Sequence, residues 1–272
     1  MSLREKEATL DAILREMGRV LVAYSGGVDS SYLAYKAWTV LGSKALAVTA
    51  ESPSVPSNQR KVALQVAAQF GFPHEIVSTQ EMNSSDYRSN PPNRCYYCKD
   101  ELFSVLGAIA SERGFSTIVD GLNADDLGDY RPGRQAAGEH NVRSPLMEAG
   151  LNKAEIRELS RLAGLPTADQ PASACLASRF PYGVEITEEK LRMVDRGEEA
   201  LREKGFRVFR VRHHEDMVRL EFGPEDLARA LSLEVASQLV TLFKGIGYKF
   251  VTIDLEGYRT GSLNEVLVTQ VK

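Results

Sequence analysis

Short apolar runs alternate with helically spaced apolar positions along most of the chain. Leu3, Leu10, Ile13, Leu14 and Met17 recur at helical spacing and predict an amphipathic helix over residues 1–18. Val20 to Tyr24 is an unbroken apolar run of strand length, followed by Gly26 and Gly27 and then a helix to about Leu41. Ala45 to Ala50 is the next expected strand, Ser57 to Phe70 a helix ended by Gly71 and Pro73, and Glu75 to Ser78 a third strand. Tyr97 to Arg113 reads as a helix stopped by Gly114, and Thr117 to Asp120 as a fourth strand. Asn152 with Glu155 forms a capping box, and Leu151 with Ile156 a hydrophobic staple, so a helix starts there. This rhythm implies an α/β fold, with a mostly parallel sheet covered by helices on both faces.

The rhythm breaks between Pro166 and Gly183, where Pro166, Pro171, Pro181 and Gly183 mark a loop. Thr187 then caps a helix, with Ile186 and Leu191 as its staple. The tail predicts a strand over Phe206 to Arg212, a strand over Met217 to Phe222, one helix from Pro224 to Lys244 and a strand over Lys249 to Leu255. His213 and His214 fall in the expected turn between the first two strands. The boundary is therefore placed near Gly183, giving a main domain over 1–183 and a small α+β domain over 184–272.

Composition narrows the function classes. With 272 residues, 43% apolar and 26% charged, the chain is long enough for a substantial core. Its formal net charge of -4 gives no reason to expect nucleic acid or a membrane surface as partner. The charged N-terminal stretch does not read as a signal peptide, and no apolar run approaches the ~18 residues that span a bilayer, so a cytoplasmic location is expected. The count of 3 cysteines argues against a disulfide framework and for reduced thiols.

The strongest local signal is Ser25-Gly26-Gly27-Val28-Asp29-Ser30, placed between a strand and a helix. Glycines let backbone approach an anion, and the N–H groups and dipole of a helix start favour one. Ser25, Ser30 and Ser31 add hydroxyl donors. Asp29 would be repelled in an anion site unless it holds a cation, which implies Mg²⁺. The spacing fits neither a Walker A loop nor a dinucleotide fingerprint.

Cys95 and Cys98 are separated by Tyr96-Tyr97 at a helix start, and Cys175 lies in a loop of small residues four positions before Arg179. A guanidinium nearby would favour the Cys175 thiolate. A structural zinc would lack a fourth cysteine, with His140 the only substitute considered. Three cysteines holding a 4Fe-4S cluster, with one iron left open, account for all the thiols. Three unrelated buried cysteines account for them equally well.

The glycine loop resembles the pyrophosphate loop of the N-type ATP pyrophosphatases. Together with Asp120-Gly-Leu-Asn-Ala-Asp-Asp-Leu-Gly-Asp-Tyr-Arg-Pro-Gly133 and the loop around Cys175, it resembles the LarE family. The resemblance implies a Rossmann-like sheet of the adenine nucleotide alpha hydrolase (HUP) class, with ATP bound at Ser25, Gly26, Gly27, Asp29, Ser30 and Ser31 and its adenine near Thr49. It implies an ATP-dependent sulfur transferase that adenylates a carboxylate of a pyridinium bis-carboxylic acid mononucleotide and converts it to a thiocarboxylate. The product is an intermediate of the nickel-pincer nucleotide. One form of the family donates the sulfur of a cysteine at the Cys175 position; another has three cysteines and resembles cluster-using thiolation enzymes. The presence of Cys95 and Cys98 favours the cluster version, in which Cys95, Cys98 and Cys175 are iron ligands and a sulfide source is a further partner. Consumption of Cys175 is the alternative. The resemblance also implies a trimer or hexamer.

Further candidates follow. Asp125, Asp126 and Asp129 after the fourth strand bind metal, with Mg²⁺ at Asp126, or form a solvated acidic turn. Arg131 and Arg134 hold phosphate or pair with those acids. Arg210 and Arg212 alternate on one strand and so face one side. The resemblance assigns them the substrate phosphate; an exposed charged strand face is the competing reading. Ser178, Arg179 and Glu198 are candidate substrate contacts. Tyr96 is a candidate to stack on a pyridinium or adenine ring, or simply packs beside the helix start. Amidating enzymes of the same superfamily, such as NAD synthetase, a tRNA-thiolating enzyme and an ATP- or AMP-binding sensor are the other classes considered.

Overall fold

The computed structural model describes residues 1–128, 132–171, 173–259 and 261–262. The chain divides into two units, Met1–Tyr87 with Pro92–Ser173, and Arg88–Pro91 with Ala174–Lys272. The division precedes the expected boundary near Gly183, so the loop carrying Cys175 is part of the second unit.

In the first unit, helix α1 (Leu3–Met17) leads into β1 (Val20–Ala23). The chain continues through α2 (Val28–Leu41), β2 (Ala45–Glu51), α3 (Ser57–Phe70), β3 (His74–Ser78), the single turn α4 (Ser85–Arg88), α5 (Arg94–Arg113), β4 (Thr117–Val119), α6 (Gly133–Glu139), α7 (Pro145–Glu148) and α8 (Lys153–Leu162). The four strands are parallel, in the order β3-β2-β1-β4. Alternate residues of β1 serve opposite faces, as the period of a strand requires. Val20 and Val22 join Leu10, Leu14, Leu33 and Ile156 in one core, while Leu21 joins Phe103, Leu106 and Ala136 in the other. The unit is thus a Rossmann-like α/β layer with helices on both faces. The capping box of Asn152 and Glu155 forms as expected, with Glu155 N donating to Asn152 Oδ1 at 2.9 Å and Asn152 N to Glu155 Oε2 at 2.9 Å. Helix α5 starts at Arg94, before the expected Tyr97. No helix among the described residues is long and apolar enough to cross a membrane.

The second unit contains α9 (Glu188–Glu203), β5 (Phe209–His214), β6 (Met217–Phe222), α10 (Pro224–Ala230), α11 (Leu233–Ile246) and β7 (Phe250–Ile253). Its sheet has the order β5-β6-β7, with β5 antiparallel and β7 parallel to β6. Two expectations are corrected. The helix expected from Pro224 to Lys244 is two helices, because Ser232 accepts a hydrogen bond from Val235 N and caps a new start. His213 and His214 lie on β5 rather than in a turn. His213 is buried, with Nδ1 3.0 Å from the Tyr248 hydroxyl and its ring 5.0 Å from that of Phe180. The turn falls instead at Glu215, whose φ of 52° is in the left-handed region.

Gly197 sits in the middle of α9, where a Cβ would lie 2.6 Å from Phe243 Cε1 and 3.3 Å from Val211 Cγ1. Phe243 and Val211 are fully buried and cannot swing away. Gly197→Ala would recover ~1 kcal/mol of helix propensity but forces overpacking that costs about 1–3 kcal/mol. A net loss of stability, read as a lower urea midpoint, is the expected outcome.

Burial lowers the His213 imidazole from its ordinary 6.5 to about 4. Between those values the unfolded chain binds a proton that the folded chain refuses. Stability is therefore fully present above pH 6.5 and is lost as pH falls toward 4. Urea unfolding at a series of pH values should show a shallower acid slope for His213→Gln than for the natural chain.

Candidate functional site

The glycine loop leaves the C-terminal end of β1, where strand order reverses between β2 on one side and β4 on the other. Open α/β sheets bind ligands in that crevice. Gly26 has a φ of 76°, and a Cβ there would lie 2.9 Å from Ala63 Cβ and 3.0 Å from the Gln59 carbonyl. Only glycine fits. Gly27 is the N-cap of α2 and supplies no side-chain cap, which leaves first-turn amides of a 14-residue helix without a capping oxygen. The backbone N–H of Ser25 donates to Ser30 Oγ at 3.2 Å, the two hydroxyls lie 3.0 Å apart, and Ser30 Oγ donates to the Gly27 carbonyl at 3.3 Å. Ser31 is wholly buried beside the Tyr24 hydroxyl.

Asp29 stands on the first turn of α2. Its Oδ2 accepts from Lys153 Nζ at 2.6 Å, while its Oδ1 is buried without a hydrogen-bond partner. Burial pushes its carboxyl upward, Lys153 opposes that, and the nearby Asp126 carboxylate adds to it. Asp125 Oδ2 accepts from the backbone N–H of Lys153 at 2.9 Å, and Asp126 Oδ2 accepts from Asn123 N at 3.0 Å. The acidic turn after β4 is therefore tied to the start of α8. Arg134 donates to the backbone carbonyls of Asp126 and Leu127 at 3.3 and 3.2 Å. Asp129 and Arg131 lie outside the described residues. An orphaned buried carboxylate oxygen beside a second carboxylate suits Mg²⁺, which takes one or two carboxylates together with phosphate oxygens.

Thr49 on β2 is buried, and its hydroxyl donates to the Tyr24 carbonyl at 2.7 Å. With that proton engaged, His74 Nε2, 2.8 Å away, is the donor to Thr49 Oγ1. Thr49 thus ties β1 to β3 across the sheet.

Cys95 and Cys98 share the first turn of α5, the first exposed and the second half-buried, and neither is in a disulfide. The Tyr96 hydroxyl donates to Glu139 Oε2 at 2.7 Å, which pushes the phenol up to about 12 and holds Glu139 low. His140 Nε2 lies 2.8 Å from Asp100 Oδ1, so it is engaged there. Among the described residues no group of three or more His, Cys, Asp or Glu side chains is arranged to hold a metal ion.

In the second unit the remaining candidates converge. Arg179 is buried and forms a two-pronged pair with Glu198, Nε to Oε1 at 2.7 Å and Nη2 to Oε2 at 3.0 Å. Its Nη1 donates to the carbonyls of Ala174 and Cys175, both at 2.9 Å, and to Ser178 Oγ at 2.7 Å. Ser178 Oγ in turn donates to the Cys175 carbonyl at 2.8 Å. Arg179 was expected to favour a thiolate; its charge is met by Glu198, and its visible role is to fix the backbone that carries Cys175. Arg212 pairs with Glu221 at 2.9 and 2.8 Å and donates to the Ser178 carbonyl at 2.9 Å. Arg210 donates to the Phe209 carbonyl at 2.7 Å and lies over the Tyr258 ring, 4.8 Å from its centroid. Burial lowers its guanidinium, and the positive charges of Arg179 and Arg212 add to that. Arg179 is paired with Glu198, Arg212 with Glu221, and Arg219 with both Glu221 and Asp254, so Arg179, Arg210 and Arg212 bring guanidinium groups of the kind that hold a phosphate or carboxylate close to the Cys175 loop.

Sequence reasoning missed Lys153, Gly121, Glu221 and Tyr258. Glu221 was legible in principle, because it faces Arg210 across the hairpin and alternates with Arg219 on β6. Lys153 also left a trace: a cation in the first turn of a helix opposes the helix dipole and calls for a carboxylate partner.

No family model matches the chain. It is 46% identical over 265 residues to an uncharacterized protein of Synechocystis, covering 97% of this chain and 99% of that protein. It is 35% identical over 268 residues to the pyridinium-3,5-bisthiocarboxylic acid mononucleotide synthase of Lactiplantibacillus plantarum, covering 98% of this chain and 96% of that enzyme. Similarity to a component of the glutamine-hydrolyzing GMP synthase of Methanococcus maripaludis is lower, 28% over 209 residues, and covers 68% of this chain and 64% of that one. Identity at the level of the Lactiplantibacillus enzyme over nearly the full length, with the glycine loop and the Cys175 loop both built as described, means that the chain belongs to the LarE family.

Proposed function

We propose that the chain is an ATP-dependent sulfur transferase that converts carboxylates of a pyridinium bis-carboxylic acid mononucleotide into thiocarboxylates, a step toward the nickel-pincer nucleotide. The observation that carries this reading is the Cys175 loop held by two guanidinium groups, Arg179 on the Ala174 and Cys175 carbonyls and Arg212 on the Ser178 carbonyl. Guanidinium groups so placed suit the substrate's phosphate and carboxylate.

A carboxylate is a poor acylating agent because oxide leaves badly. Attack of its oxygen on the α-phosphorus of ATP breaks the bond to the β-phosphate and gives an acyl adenylate and pyrophosphate. The amides of α2 and the hydroxyls of Ser25 and Ser30 hold the departing phosphates. Asp29 with Asp126 would hold Mg²⁺, which supplies charge neutralisation there. The Cys175 thiolate then adds to the acyl carbon and displaces AMP, leaving a thioester. Loss of the Cys175 Cα proton with cleavage of its Cβ–S bond releases the thiocarboxylate and leaves dehydroalanine. Arg179 and Ser178 fix the peptide on which that elimination takes place.

The two-residue spacing of Cys95 and Cys98 on one turn favours a second reading, in which a 4Fe-4S cluster on Cys95, Cys98 and Cys175 would supply sulfide and Cys175 is not consumed.

Anaerobically purified protein given ATP, Mg²⁺ and the bis-carboxylate should release pyrophosphate and lose one H₂S from its intact mass, while Cys175→Ser forms no thiocarboxylate. Absence of pyrophosphate with any carboxylate overturns the enzyme reading. Cys95→Ala should still form thiocarboxylate with the same loss of mass. Bound iron, unchanged mass and repeated turnover, all abolished by Cys95→Ala, would instead assign the sulfur to a cluster.

A further inference from the structure

We propose that Lys153 is an exchangeable counter-charge: it occupies Asp29 when no metal is bound, yields that carboxylate to the divalent cation, and passes its ammonium to the phosphates of the nucleotide. This deepens the reading of the glycine loop as an ATP·Mg²⁺ site and rests on it.

Lys153 is the first residue of α8, where a cation opposes the helix dipole. Its backbone is pinned there, because its N–H donates to Asp125 Oδ2 at 2.9 Å and the helix is capped by Asn152. The side chain is not confined in the same way. Its ammonium lies 2.6 Å from Asp29 Oδ2, and the pair is part-exposed, at 33% for Lys153 and 21% for Asp29. A four-carbon stem with a point charge at its end can change partners without moving the helix.

Asp29 is only half satisfied by this arrangement. Oδ1 is buried with no hydrogen-bond partner, a defect that native structures rarely leave unexplained. Mg²⁺ binds oxygen donors and retains water, so a cation at Asp29 would remove that defect. The ammonium would then sit beside a divalent cation, and like charges at that range repel strongly. The nearest compensation is the phosphate chain held by the first turn of α2, on which Asp29 itself stands. The same lysine therefore weakens binding of metal alone and strengthens binding of nucleotide. A lysine that merely props up α8 would lower both affinities when removed.

The experiment uses the full chain at pH 8. Binding of Mn²⁺ alone is read from the electron paramagnetic resonance signal of the free ion, and binding of ATP in excess EDTA by calorimetry. Lys153→Met should bind Mn²⁺ about tenfold more tightly than the natural chain, the scale of removing a close like charge. It should bind metal-free ATP about tenfold more weakly, because Asp29, stripped of its ammonium, then faces the phosphates as an uncompensated carboxylate. Lys153→Arg keeps the charge and should leave Mn²⁺ binding as weak as in the natural chain, which guards against a Met variant that folds poorly. Mn²⁺ binding unchanged or weakened in folded Lys153→Met, with ATP·Mg²⁺ still bound by the natural chain, overturns the inference. A natural chain that binds no ATP with or without metal overturns the nucleotide reading itself.

Discussion

Backbone meets backbone on two sides of the glycine loop, and the first unit is arranged around that contact. A Cβ at Gly26 would strike Ala63 and Gln59 of α3, and a Cβ at Gly121 would lie 3.0 Å from the amide nitrogen of Ser30. The chain after β4 can therefore press against the first turn of α2 only because residue 121 has no side chain. This approach brings the acidic turn with Asp126 toward Asp29, and through Asp125 it brings the start of α8 with Lys153. The strand order β3-β2-β1-β4 makes the approach possible, since it sets β1 and β4 side by side with their C-terminal ends together. The geometry of the loop follows from sheet topology and two missing methyl groups.

The second unit solves a different problem, that of holding a short loop around one cysteine. The backbone from Ala174 to Ser178 has little regular structure of its own beyond the single turn at Leu176–Arg179. Its carbonyls are gathered by guanidinium groups: Arg179 takes those of Ala174 and Cys175, and Arg212 takes that of Ser178. Each arginine is braced by a buried carboxylate, Glu198 on α9 and Glu221 on β6. Helix and hairpin thus meet at the loop through charge, while Phe243 and Val211 close on Gly197 of α9 in the same unit.

Local signals in the sequence carried the elements whose stop and start residues act on their own neighbours. The caps at Asn152 and Thr187 and the glycine loop between β1 and α2 form as read, because each depends on contacts within a few residues. The break at Ser232 was hidden because apolar spacing continues across it from Leu227 to Leu239. His213 was read as part of the turn between the two expected strands, yet a buried partner in Tyr248, distant in sequence, draws it into the strand. The site divides the same way. Cys175, Arg179, Glu198, Arg210 and Arg212 were named from motif and alternation and lie in one unit, but which carboxylate braces which arginine depends on the register of β5 against β6. Lys153 belongs to a segment far along the chain from Asp29, and no local pattern joins them.

The two ion pairs that anchor these sites have opposite characters, and magnitude decides which role each can fill. Arg179 with Glu198 is buried at both ends and joined by two parallel hydrogen bonds. Removing one partner of such a pair leaves a charge stranded away from water at about 3–5 kcal/mol, too much for a contact that must open in each cycle. It is suited to be a frame. Lys153 with Asp29 has one hydrogen bond and is only part-buried. It costs less to open than the fully buried Arg179–Glu198 pair, so of the two it is the one suited to exchange its partner. The chemistry of the side chains follows the same division: a planar guanidinium holds a carboxylate in one orientation, and an ammonium on a flexible stem does not. Exchanging the two cations would remove the fixed backbone from Cys175 and the flexible charge from Asp29.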